Sequence, residues 1–98
     1  MNSSHVQVPI RPLHVEIEGP ARYRQAYTVD EFAGLLLSVS WPLSGKQTSE
    51  FHHALATSLD ALEFYIDPEV ARAAFVDAAY VAGLHVLPDD MSAMKLAG

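Results

Sequence analysis

Apolar and polar residues alternate strictly along Leu13-His14-Val15-Glu16-Ile17-Glu18. That period of two predicts a strand with Leu13, Val15 and Ile17 on one face and the polar residues on the other. Gly19-Pro20 interrupts the pattern, and Arg22 to Thr28 follows as a second β-prone stretch. A loop over Gly19 to Ala21 predicts a hairpin pairing Glu18 with Arg22, Glu16 with Arg24, Ile17 with Tyr23 and Leu13 with Tyr27. Opposite charges then meet on the outer face and apolar residues on the inner one. Such loops favour a left-handed third residue, which Ala21 suits poorly.

The period then lengthens to that of helices. Thr28-Val29-Asp30-Glu31 is a capping box, opening a helix over about Val29 to Val39 with Phe32, Leu35, Leu36 and Val39 on one face. Leu37 and Ala33 make this helix apolar nearly all round, which predicts a central place. Trp41-Pro42 is read as its end, because a residue before proline avoids helical angles. Ser44-Gly45-Lys46 is a turn, and Thr48 or Ser49 caps a second helix to about Phe64, with Phe51, Leu55, Leu59, Leu62 and Ile66 as its buried stripe. Asp67-Pro68-Glu69 combines an N-cap, a proline at the first helical position and an acid in the first turn. This third helix closes at Gly83, and Ala71, Ala74, Phe75, Ala78 and Ala82 give it a small-residue face that admits a close neighbour. Leu84 to Leu87 is short and β-prone, a candidate third strand beside the hairpin. The order β-β-α-α-α-β predicts one α+β domain over residues 1–98, with 1–8 and 89–98 as loose tails.

Composition narrows the class. Half the residues are apolar and 18% charged, which removes the disordered class. No apolar run approaches the roughly 20 residues of a membrane span, and no basic segment followed by an apolar one opens the chain as a signal peptide would. With no signal peptide readable the default setting is the cytoplasm, and the absence of cysteine removes disulfides, thiol catalysis and cysteine-rich metal sites. Twelve carboxylates against six Lys and Arg give a net charge of −6. Phosphate neutralisation drives nucleic-acid binding, and only Arg22 and Arg24 form a close basic pair, so no nucleic-acid partner is expected.

From Leu13 to Val86 the chain resembles a bacterial family known only as domain-of-unknown-function family 982. The resemblance rests on three stretches. They are the extended segment leading into Thr28-Val29-Asp30-Glu31, Trp41-Pro42 with Gly45 shortly after, and the run from Asp67-Pro68-Glu69-Val70 through Ala79 to Gly83-Leu84. Ala54 to Leu62 resembles that family's middle helix. Members often carry a cysteine there and a glycine just after it. Here Ser58 and Glu63-Phe64-Tyr65 stand at those places, so a thiol role does not apply to this chain. The resemblance implies the fold and no activity.

The candidate chemistry is thin. His52 and His53 are adjacent, about 100° apart on a helix, with Ala56 and Thr57 four residues on, so they make no chelating pair. His14 and His85 can approach only if the third strand forms. Ser49, His53 and Asp60 have the residue types of a triad, but His53 and Asp60 lie about 10 Å apart along one helix. Gly45-Lys46 lacks the rest of a phosphate loop, and Glu16, Glu18, Arg22 and Arg24 read as the wet face of the hairpin. No cofactor is expected. Two functional readings remain. In the first, surplus apolar residues Val76, Tyr80 and Phe64 form a helical surface for a protein partner or self-association, in a non-catalytic interaction or regulatory module. In the second, Trp41, Arg72 and Tyr27 converge in a pocket between hairpin and helices, in a small-ligand binder or enzyme.

Overall fold

The computed structural model describes residues 8–17, 22–63 and 65–87. In chain order these form β1 (Pro9–Glu16), β2 (Tyr23–Thr28), α1 (Val29–Leu36), a short 3₁₀ turn (Gly45–Gln47), α2 (Ser49–Leu62), α3 (Pro68–Val81) and β3 (Val86–Leu87). The sheet order is β2-β1-β3, both pairs antiparallel, so the expected third strand is present and β1 is central. The α+β arrangement is thus the one expected. α1 and α3 lie against the sheet, and α2 packs on them. Leu13 and Val15 of β1, Phe32 and Leu36 of α1, and Phe75 and Ala78 of α3 are all fully buried.

The hairpin register differs from the expected one by a single residue. Leu13 pairs with Ala26, His14 with Gln25, Val15 with Arg24 and Glu16 with Tyr23, and the Ile17 amide donates to the Arg22 carbonyl at 3.1 Å. One step of slip exchanges the faces of β2. Ala26 now faces the core, while Tyr23 and Tyr27 stand on the outer face, 39% and 46% exposed. The physical reason is steric. Directly below α1 a small side chain fits at position 26, whereas two tyrosines there would displace Phe32 and Val29, which are fully buried. Strand β1 also starts earlier than its alternation does. Val8, assigned to the loose arm, is buried, and its carbonyl accepts the Val29 amide at 2.9 Å.

α1 starts as expected and stops early. The Glu31 carboxylate accepts the Thr28 amide at 3.1 Å and the Tyr27 amide at 2.6 Å, satisfying donors at the helix start. The helix ends at Leu36 instead of Val39. Ser38 donates its hydroxyl to the Leu35 carbonyl at 2.8 Å, and its own carbonyl accepts Lys46 Nζ at 2.9 Å, so the chain turns there. Val39 is left 99% exposed as the backbone swings Trp41 into the core. α3 follows its reading at both ends. Asp67 accepts the Glu69 amide at 2.8 Å, and Gly83 closes the helix at φ 82°. The Gly83 amide donates to Tyr80 and the Leu84 amide to Ala79, a Schellman ending.

α2 departs from its expected stripe in part. Phe51 is buried, and Leu55, Leu62 and Ile66 pack partly buried against the core. Leu59, however, is 52% exposed, and Ala54, Thr57, Ser58 and Ala61 fill the inward face. Small residues on both α2 and α3 let the two helices approach closely, which a leucine at the contact would prevent. Gly45 serves the same end beside them. A Cβ there would fall 2.8 Å from the Ala82 Cβ and 3.2 Å from Trp41 Nε1.

Candidate functional site

The three residues expected to converge in a pocket occupy three different environments. Trp41 is 2% exposed and packs edge-on to Phe75, with ring centroids 5.5 Å apart, while Phe75 stacks on Phe32 at 4.5 Å. Its indole nitrogen is buried without a hydrogen-bond partner among the described residues. Arg72 is also 2% exposed, and its Nε donates to the Arg11 carbonyl at 2.9 Å, which ties α3 to β1. Glu69, three residues before it in the chain, is paired with Arg11, Nη2 to Oε1 at 2.8 Å. Tyr27 stands on the far face of the sheet, its hydroxyl donating to Gln25 Oε1 at 2.6 Å. The structure does not bring these three together.

The surplus apolar residues are also redistributed. Tyr80 is 73% exposed, whereas Val76 is half-buried and packs against the core. Phe64 lies outside the described residues. Two exposed residues that the sequence reading passed over, Val70 and Val81, share a face of α3 with Ala73, Asp77 and Tyr80, at spacings of three, four and seven along the helix. The helical period places them together. What it does not say is that this face looks outward, because that depends on where α2 lies.

Along this face runs a groove of about 400 Å³ lined by His53, Asp67, Glu69, Val70, Ala73, Ala74 and Asp77. A second hollow of about 250 Å³ shares His53, Ala74 and Asp77 with it and extends it to Ser49 and Glu50. Val70, Ala73 and Ala74 make an apolar floor, and four carboxylates (Glu50, Asp67, Glu69 and Asp77) make the rim. The hydrogen bond from Arg11 holds the Glu69 carboxyl below its ordinary value, with the charges of Arg11 and Arg72 acting the same way. Glu69 therefore stays ionised through the neutral range.

No catalytic constellation assembles here. Ser49 donates to the neighbouring Glu50 carboxylate at 3.2 Å, Thr48 is the residue that caps α2, and Asp60 is not among the groove residues. Pairing of β3 with β1 sets His14 opposite Leu87, and the Glu16 amide donates to the His85 carbonyl. The two histidines are therefore not cross-strand partners. Among the described residues no group of three His, Asp or Glu side chains is arranged to hold a metal ion, and no helix is long and apolar enough to cross a membrane.

Comparison with models of known protein families matches residues 11–86 to a family described as protein of unknown function (DUF982). No curated protein and no solved structure matches the chain.

Proposed function

Because the chain belongs to the DUF982 family, whose function is unknown, its role has to be read from its surface, and we propose a non-catalytic interaction module that binds a protein partner through the exposed face of α2 and α3. The observation that carries this reading is the groove between those helices, with its floor of Val70, Ala73 and Ala74 and its rim of carboxylates. An apolar strip bordered by one sign of charge selects a segment that carries apolar side chains flanked by Lys or Arg. Tyr80, on the same helix face, is one of the residue types enriched among those that dominate such contacts. The chain's net charge of −6 favours a basic partner in the same sense. A cytoplasmic setting goes with this reading.

The test uses the whole protein immobilised as bait against extract of its own cell. Wild type, Tyr80→Asp, Val70→Asp and the distant surface variant Leu43→Asp are compared side by side. A partner held by wild type and Leu43→Asp but lost by the two α3 variants supports the reading. Replacing Tyr80 should then weaken the purified pair by roughly 5–30-fold, about 1–2 kcal/mol. Equal capture by all four baits overturns it.

A further inference from the structure

The sheet offers a second surface, and its chemistry lies in the backbone. In an antiparallel ladder, hydrogen-bonded and non-bonded pairs alternate. The Ile17 amide bonds the Arg22 carbonyl, so Arg22, Arg24 and Ala26 direct their main-chain groups toward β1. Glu16 and His14, one step away, turn theirs to the other side, as the Glu16 bond to His85 requires. On β2 the same alternation sends the amide and carbonyl of Tyr23, Gln25 and Tyr27 to the outer edge of the sheet. Glu31 takes the Tyr27 amide, and the edge groups of Tyr23 and Gln25 have no partner among the described residues. An edge of this kind is a template for another strand, and natural proteins usually blunt it with proline, a bulge or a covering element. The Tyr23–Thr28 stretch contains no proline, and its register with β1 is regular from Leu13 to Glu16.

Beside that edge, on the helix side of the sheet, lies a groove of about 300 Å³ lined by Arg24, Gln25, Glu31, Gly34, Leu35 and Ser38. The space beside Gly34 is open, since a Cβ there would meet nothing within 4 Å. An incoming strand thus finds both main-chain partners and room for its inward side chains.

The geometry points to a second copy of this chain as the occupant, joined β2 to β2 in antiparallel sense about a two-fold axis at Gln25. In that register the two Gln25 residues exchange amide–carbonyl bonds, and each Tyr23 amide reaches the carbonyl of the second copy's Tyr27. The Tyr27 amides stay with Glu31. Charge selects this register over its neighbour. Centred on Gln25, each Arg24 faces the second copy's Ala26 and comes beside that copy's Glu31. Centred on Arg24, the two guanidiniums would face each other, which is unfavourable. On the outer face Tyr23 meets the second copy's Tyr27, a favoured cross-strand pair. The contact is isologous, so it closes as a dimer and does not propagate through β2. With few residues a side it lies below the standard interface size, and the dimer is a weak one.

The test is sedimentation of the full chain at near-physiological salt, from about 10 μM to about 1 mM, the span expected of so small a contact. Wild type rises toward twice the monomer mass, and exchange of the Tyr23 and Gln25 amides slows as it does. Gln25→Pro removes the central donor at a position where an edge strand tolerates proline, and the variant stays monomeric. Arg24→Glu sets an acid beside the second copy's Glu31 and dimerises at least 10-fold more weakly, a check that holds even where the proline variant misfolds. Tyr80→Asp, on the α3 face, leaves the sedimentation unchanged, which separates this surface from the partner groove. A wild-type chain that stays monomeric throughout, or self-association undiminished in Arg24→Glu and folded Gln25→Pro, overturns the assignment.

Discussion

β1 and β2 are neighbours in one sheet, and they use their residues in opposite ways. β1 has a strand on each side and α3 above it, so Leu13 and Val15 are wholly excluded from water. β2 has one neighbouring strand. Only its Ala26 is fully buried, and four of its six residues, from Tyr23 to Gln25 together with Tyr27, are exposed. The difference shows that burial belongs to the place in the sheet and not to the β-prone composition of the segment. A central strand spends its alternation on the core. This edge strand leaves the outward main-chain groups of Tyr23 and Gln25 without a partner among the described residues and keeps both of its tyrosines at the surface.

The largest effect expected from this contrast comes from trimming each strand in turn. Leu13→Ala removes a fully buried side chain from beneath the helices and should lower unfolding free energy by about 2–5 kcal/mol, read by urea denaturation. Tyr23→Ser on the edge should shift the same curve by about 0.5 kcal/mol or less when measured dilute. Comparable losses at both positions would break the contrast. A smaller effect tests what anchors β1 to α3. Arg72→Met keeps the apolar stem but withdraws the donor from the Arg11 carbonyl, and should cost about 1–3 kcal/mol with fold and helix content retained in circular dichroism.

The smallest effect tests the exposed half of the same junction. The Arg11–Glu69 pair is largely solvated, with side chains 71% and 47% exposed, so Glu69→Gln should cost at most about 0.5–1 kcal/mol at neutral pH. The Glu69 pKa is lowered in the folded state, so the folded protein releases this proton more readily than the unfolded one. Its stabilisation is complete above the ordinary carboxylate range and fades as pH falls through the lowered folded value. The gap between wild type and Glu69→Gln should therefore close on acidification, and a gap that widens in acid would contradict the pairing.

Much of the fold is legible because its signals are local. Thr28 with Glu31, Asp67-Pro68, and Gly83 each satisfy or release backbone groups within a few residues, so they mark helix ends wherever the helix goes. The register of β2 is not legible in the same way. Tyr23 and Tyr27 are apolar in body and polar at the tip, Ala26 lies on the opposite parity, and either set reads as a buried face until α1 is placed above it. Leu59 fails for a related reason. It continues a helical stripe with Phe51 and Leu55, but close packing of α2 on α3 requires alanine and serine at the contact and turns the leucine out. The candidate groove needed both helices in place, since Val70, Asp77 and Tyr80 fall on one face by spacing, while His53 and Glu50 join them only across the helix pair.

The sequence by itself determined the element order, the helix starts, the close of α3 and the inner face of β1, because each of these follows from hydrogen bonding and burial along a few consecutive residues. Tertiary structure decided which face of β2 and of α2 is buried, where Trp41 and Arg72 are held, and which surfaces stay open to a partner. Those outcomes depend on side-chain volume meeting side-chain volume across segments far apart in the chain, and no local pattern encodes what will stand opposite.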